Sequence, residues 1–349
     1  MKVIPVHASR SYEVRIESGL LPSLGAQLLT RFGAPCAVML VSDDSVYALY
    51  GAAAESSLRS AGFRTEHFVF PHGENSKTLS TYAALQQALF EKNFTRSDVV
   101  VALGGGVAGD LAGFAAATCQ RCLACVQVPT TLLAMVDASV GGKTGVNLAG
   151  GKNQVGAFSQ PALVLCDPSL LATLPDNEYK NGCAEVVKCA MLSGEPLFSS
   201  LPHTPVERVI AACVKIKRDL VQADEYDAGC RRLLNFGHTV GHAIESCSGY
   251  AVPHGFAVAA GMAVLTRAAC RRGLCGADTL GALRHLLDAY GLPDTTAFSA
   301  QALAAAALSD KKRRGESLSL VLPEAVGRCR VETIPAEEFV LWLRDGGLA

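Results

Sequence analysis

The chain predicts two unlike halves, an α/β N-terminal domain built on a parallel sheet and an all-α C-terminal domain, with the boundary near Leu171 to Pro175. Three observations predict this. Between Ala37 and Asp167, short apolar runs alternate with stretches at helical period, the pattern of strands joined by crossover helices. From Glu178 onward the chain reads almost entirely at helical period. A chain of 349 residues, 50% hydrophobic, is also long enough for two domains with a large core.

Taken in order, the N-terminal stretch MKVIPVHASRSYEVRIESG alternates like a first strand and holds no apolar signal core. Residues 37–42, AVMLVS, form a buried strand ending at Asp43 and Asp44, and residues 46–61 the helix after it. Arg64–Phe70 is the next strand, stopping at the polar loop PHGENSKT with Glu74 and Lys77, and residues 79–92 are helical. Residues 99–103, continuously apolar, run into Gly104, Gly105 and Gly106, with a helix starting near Asp110. Glycines there let a pyrophosphate approach the backbone, and the helix N-terminus offers unpaired amides to it. A tight strand-to-helix turn would need the same glycines. After a short strand at 126–129, residues 130–158 read as one long, glycine-rich polar loop carrying Asp137, Lys143, Lys152 and Asn153, and such loops are usually functional. Residues 164–167 are the last strand of this half.

Helices are expected at 178–192, 206–222, 233–247, 257–272, 279–290 and 302–308, with residues 318–323 a single stray strand before a C-terminal helix. The stretch RRLLNFGHTVGHAIESCSGYAVPHG, 231–255, concentrates the chemistry. If 233–247 is helical, His238 and His242 share a face, which Asn235 and Arg231 extend backward. Gly249, Pro253 and Gly255 mark a loop able to fold His254 toward that face. Three imidazoles could then meet, and a metal centre open to substrate wants three protein ligands. The HTVGH spacing alone is weak, since it lacks the glutamate of H-E-x-x-H. Upstream, GCAEVVKCAM puts Glu185 and Lys188 three apart on an otherwise apolar helix. Alone, that pair reads as an intrahelical ion pair; beside the histidines it offers a fourth candidate ligand.

A net charge of −1 and a pI near 6.7 provide no global attraction to nucleic acid or membrane. The richest apolar run, 256–265, is too short to span a bilayer, so a cytoplasmic location is expected. Thirteen scattered cysteines argue against a disulfide framework. Cys119, Cys122 and Cys125 form a C-x-x-C-x-x-C run that could hold an iron–sulfur cluster, but no fourth cysteine follows at matching spacing.

The motifs GGGVAGDLAGFAAAT, VQVPTTLLAMVDASVGGKTGVN, GKNQVGAF, AEVVK, LLNFGHTVGHAIE, HG-x-A-V-x-x-GM and a final DKK resemble, in order and spacing, the 3-dehydroquinate synthases along nearly the whole chain. The resemblance implies a Rossmann-like NAD-binding domain over residues 1–172 and a helical metal- and substrate-binding domain over 173–349, with a cleft between them. It implies zinc or cobalt on Glu185, His238 and His254, which leaves His242 to the substrate. NAD would meet Asp43, Glu74, Lys77, Gly104, Gly105, Gly106, Asp110, Thr130 and Thr131, with Lys143 and Lys152 shared between cofactor and substrate. The substrate would meet Asp137, Lys143, Lys152, Asn153, Lys188, Lys217, Arg231, Asn235, His242, Lys311 and Lys312. Arg121 would reach in from a second subunit, so a homodimer is expected.

The reaction so implied turns 3-deoxy-D-arabino-heptulosonate 7-phosphate into 3-dehydroquinate and phosphate, a shikimate-pathway step. It proceeds by transient oxidation with NAD, phosphate elimination, reduction, ring opening and aldol closure. The departing phosphate can itself take the C6 proton. Alternatives are a cyclase acting on sedoheptulose 7-phosphate, a metal-dependent polyol dehydrogenase, and a non-catalytic protein with a closed metal site. Three motifs depart from the family pattern: ATCQRC stands for ATY-x-RG, HGF for HGE, and AEVVKCA for AEVVKYG.

Overall fold

The computed structural model describes residues 1–148, 151–311 and 317–349, with residues 309–311 described as backbone only. Two compact units emerge: Met1–Pro175 with Lys217–Tyr226, and Asp176–Ile216 with Asp227–Ala349.

The strands of the first unit are β1 (Lys2–Val6), β2 (Tyr12–Ile16), β3 (Ala37–Asp43), β4 (Arg64–Phe70), β5 (Val99–Gly104), β6 (Ala124–Pro129), β7 (Lys143–Leu148), β8 (Gly151–Phe158) and β9 (Leu163–Cys166). Seven of them form one sheet in the order β1-β2-β9-β6-β5-β3-β4. Every pairing from β2 to β4 is parallel, as strands joined by crossover helices require. The central strands are buried along their length, hence their unbroken apolar runs. The N-terminal stretch is a hairpin rather than one strand, because the polar HASRS segment turns the chain and β1 pairs antiparallel with β2.

Three further expectations are corrected here. The segment 130–158 is not one loop: β7 and β8 pair antiparallel within it. A Cβ on Gly156 would lie 2.0 Å from the Thr144 carbonyl oxygen, so the glycines that suggested a loop allow the two strands to meet. The helix after the triple glycine begins at Gly106, not near Asp110, and runs to Thr118. Its Gly109 and Gly113 sit where a Cβ would press on Gln127 (2.8 Å) and Thr144 (2.5 Å), so close packing outweighs their poor helix propensity. The helix expected at 46–61 spans Asp44 to Ser60 with a π-helical turn, Tyr47–Gly51, inside it.

The second unit is helical, with Asp176–Ser193, His238–Cys247, His254–Arg271, Ala277–Ala289, Ala300–Lys311 and Phe339–Asp345 as its main helices. The strand expected at 318–323 has an antiparallel partner, so β10 (Ser317–Ala325) and β11 (Arg328–Pro335) form a hairpin. Leu318, Leu320, Leu322 and Ile334 turn into the core with Phe339 and Trp342, while the polar face of RCRVETI hid the second strand. The helix expected at 233–247 is broken. Cys230–Asn235 is a 3-10 turn, Gly237 takes a left-handed conformation at φ +81°, and the α-helix starts at His238. Arg231 and Asn235 therefore do not extend the histidine face. No described helix is long and apolar enough to cross a membrane.

Candidate metal and nucleotide sites

In the second unit, three helices converge on one carboxylate. Glu185 lies mid-helix in Asp176–Ser193 and is fully buried. His238 opens the helix His238–Cys247 and aims Nε2 at Glu185 Oε1 from 3.8 Å. His254 opens the helix His254–Arg271, not a loop as the sequence suggested, and aims its own Nε2 at the same oxygen from 3.6 Å. These three offer ligand atoms that all lie within 4.8 Å of one another.

Glycines make the convergence sterically possible. A Cβ on Gly261 would lie 2.2 Å from the Gly237 carbonyl oxygen, and one on Gly241 3.1 Å from Val258 Cα. The two histidine helices thus approach backbone to backbone, and the His238 and His254 rings come to 5.1 Å between centroids. Gly255 is equally constrained, since a Cβ there would lie 2.0 Å from Asn181 O. Its N–H donates to Asn181 Oδ1 at 2.5 Å, pinning the start of the His254 helix to the Glu185 helix.

The tautomers follow from hydrogen bonding. His238 Nδ1 is 3.2 Å from the Phe236 carbonyl oxygen, which can only accept, so the proton sits on Nδ1 and Nε2 keeps its lone pair. His254 Nδ1 is 3.1 Å from Glu245 Oε2, the carboxylate–histidine arrangement typical of metal ligands. Burial, and then the charge of Lys188, hold His238 well below the usual histidine range, which keeps it neutral as a ligand must be. Burial lowers His254 too, but the hydrogen bonds it donates to the Glu185 and Glu245 carboxylates outweigh it and push the imidazole up to about 9. Lys188, almost wholly buried, forms an ion pair with Glu185. His242 is exposed at the edge of the cluster, its ring 5.5 Å from that of His238 and 6.0 Å from that of His254. Arg231, 2% exposed, sits on the 3-10 turn that ends at Asn235.

In the first unit, the triple glycine lies at the C-terminal end of β5. Thr130 N–H donates to the Gly104 carbonyl oxygen at 3.0 Å, and a Cβ on Gly105 would meet Thr131 Cγ2 at 3.1 Å. Asp43 ends β3 and caps the following helix, accepting from Val46 N–H at 3.0 Å. Lys77, 4% exposed, donates from Nζ to Asp110 Oδ2 and to Asn153 Oδ1, each at 2.5 Å. Asn147 completes this group by donating to Glu74 Oε1 at 2.7 Å and accepting from Asn153 N–H at 2.8 Å. Asp137 stands on a π-helical turn, Ala134–Ala138, and pairs with Lys217, which also donates to its carbonyl oxygen at 2.6 Å. Lys143 opens β7 and Lys152 lies on β8.

Arg121 is exposed in a run of three left-handed residues, Gln120 at φ +49°, Arg121 at +67° and Cys122 at +119°. The strained third position is where the resembling family carries glycine. Lys312 lies outside the described residues, as does the side chain of Lys311. Among the described residues, the two groupings with metal-ligand geometry are Glu185, His238, His254 and His242, Glu245, His254, neither of which contains a cysteine. Glu245, Asn147 and Asn181 were not anticipated. Glu245 carried a signal: it stands seven residues, two helical turns, beyond His238 on the same face.

Residues 67–181 match the sequence profile of the 3-dehydroquinate synthase N-terminal domain, and residues 182–313 that of the C-terminal domain. The 3-dehydroquinate synthase of Enterococcus faecalis is 43% identical over the whole of both chains. The chain belongs to the 3-dehydroquinate synthase family. Another relative, from Geobacter metallireducens, is 44% identical over 91% of each chain. Among solved structures, a 2-deoxy-scyllo-inosose synthase complexed with carbaglucose-6-phosphate, NAD+ and Co2+ superposes with a TM-score of 0.88 at 25% identity over 100% of both chains. The 2-epi-5-epi-valiolone synthase of Streptomyces hygroscopicus with NAD+ and Zn2+ bound gives 0.87 at 27% identity over 99% of both. An iron-containing alcohol dehydrogenase, 16% identical with a TM-score of 0.68 over 96% of this chain and 97% of its own, shares the fold alone.

Proposed function

We propose that this chain converts 3-deoxy-D-arabino-heptulosonate 7-phosphate to 3-dehydroquinate and phosphate, using NAD and a divalent zinc or cobalt ion. The observation that carries the reading is the meeting of two imidazole Nε2 atoms with a fully buried carboxylate, one imidazole backed by Glu245. Two imidazole nitrogens plus one carboxylate form a donor set that fits such a metal and leaves positions open. When bound, the metal supplies Lewis-acid polarisation of substrate oxygens and NAD accepts and returns one hydride.

Within the second unit, Glu185, His238 and His254 hold the ion, and Lys188 fixes the Glu185 carboxylate. Arg231 grips the substrate carboxylate with paired guanidinium hydrogen bonds, and His242 and Asn235 bind hydroxyls. Within the first unit, the Gly104 to Gly106 turn and the adjoining helix N-terminus receive the NAD pyrophosphate. Asp43, Glu74, Thr130 and Thr131 contact the rest of the nucleotide, and the Lys77–Asp110–Asn153 group keeps the turn's surroundings rigid. Lys143, Lys152 and Lys217 supply positive charge for the anionic substrate. Catalysis by such a set is chiefly positioning. The enzyme would act as a cytoplasmic homodimer, with Arg121 lent across its two-fold axis.

The test is release of inorganic phosphate from the heptulosonate phosphate by purified protein, with chelator, with NAD omitted, and with both cofactors restored. Release that needs both cofactors is expected. No release with both restored overturns the reading.

A further inference from the structure

Away from the metal centre, the second unit holds a pair of cysteines that the proposed reaction does not use. Cys270 is in the last turn of the helix His254–Arg271, about 24 Å along the axis from His254 at a rise of roughly 1.5 Å per residue. Cys275 follows in the turn that leads to the helix Ala277–Ala289. Their sulfurs are 2.9 Å apart, against a disulfide bond of about 2.05 Å. Cys270 Sγ also lies 3.3 Å from the Gly276 carbonyl oxygen and Cys275 Sγ 3.8 Å from that of Thr266, so both thiols are held facing each other. Both residues are partly exposed, which gives a small oxidant access. Two thiolates on one zinc stand farther apart than this, and no described cysteine belongs to a metal grouping.

We propose that Cys270 and Cys275 are a reversible oxidation site that closes into an intramolecular disulfide by exchange with a small disulfide such as oxidised glutathione. The Cys270 thiolate attacks one sulfur of the small disulfide, forming a mixed disulfide and releasing one small thiolate. Cys275 then loses its proton and attacks Cys270 Sγ, releasing the second small thiol. Two protein thiols give up two electrons and two protons, and these leave in two molecules of the small thiol. Cys270 is the first attacker because burial, and then the hydrogen bond with Cys270, push the Cys275 thiol up to about 12. The bond would tie the end of one helix to the start of the next across the Arg272 to Gly276 turn.

The experiment incubates the metal-loaded full chain with oxidised glutathione, quenches with an alkylating reagent and maps the peptides. The expected result is a peptide holding Cys270 and Cys275 that is lighter by about 2 Da, unalkylated at both positions and restored by a reductant. In Cys270→Ser and Cys275→Ser the loss of mass disappears and the remaining thiol carries a glutathione adduct or an alkyl group. A wild-type peptide that stays alkylated at both cysteines, or that stops at a stable glutathione adduct, overturns the proposal. Far-ultraviolet circular dichroism of both variants confirms that they are folded.

Discussion

At the scale of single residues, the centre depends on which nitrogen each imidazole presents. Phe236 O and Glu245 each hold an Nδ1, so both Nε2 atoms face Glu185. Glu245 is 2% exposed and its carboxylate both orients His254 and raises its basicity. Glu245→Ala is therefore expected to weaken metal binding by about 10- to 100-fold, whereas Glu185→Ala, His238→Ala and His254→Ala come out nearly empty. His242→Ala should keep its metal and lose turnover. Metal content after dialysis against graded chelator decides the assignment; an empty His242→Ala beside a full His254→Ala would reverse it. His254 keeps one carboxylate partner, Glu245, although Phe256 stands where the family has glutamate.

At the scale of elements, glycines set the distances between helices. Gly237, Gly241 and Gly261 let the His238 and His254 helices touch, and a methyl group at 261 has no room beside Gly237 O. Gly261→Ala should cost about 1–3 kcal/mol from overpacking and also weaken metal binding, since it pushes His238 and His254 apart. Thermal melts and metal titration of the variant test both effects, and an unchanged variant would show that the contact yields freely. A second inter-element tie lies in the first unit. Glu55, 7% exposed, accepts from Tyr47 Oη at 2.7 Å, lies 2.8 Å from His67 Nδ1 on β4, and pairs with Arg59 at 2.7 Å. Burial raises its carboxyl, but these three partners prevail and hold it below the ordinary range. A folded-state value below the unfolded one adds stability that is present above the ordinary carboxylate range and lost as pH falls through the folded value. Glu55→Gln should thus melt below the wild type at pH 7, with the gap closing below about pH 4. A gap that persists in acid would mean that packing, not charge, carries the tie.

At the scale of the whole molecule, Arg121 bears on how many chains make one active enzyme. It is exposed on a turn of left-handed residues. If Arg121 acts across a two-fold interface, a mixed dimer of Arg121→Ala and Lys188→Ala chains has one complete site. Each variant alone should be nearly inactive, and co-refolding them should restore about a quarter of wild-type activity under random pairing. No recovery, with mixed dimers confirmed by differential tags, would place the arginine in its own chain's site or outside it.

The sequence by itself determined the parallel sheet, most of the helices and the family, because buried strands and amphipathic helices write their periods into consecutive residues and the site motifs are long. It also brought Glu185, His238 and His254 forward as candidates, since charged and ligating groups among apolar neighbours are costly to bury without a purpose. The tertiary structure alone decided what depends on contacts between distant segments. The β7–β8 hairpin was hidden because its glycines fit a cross-strand contact. Residues 233–247 read as one helix because periodicity cannot register a single left-handed glycine, and Gly237 splits it. Glu245 and Asn181 came into the candidate site only when packing brought the His254 helix against them, as an acidic or amide side chain looks the same in sequence whether it faces solvent or a buried helix start.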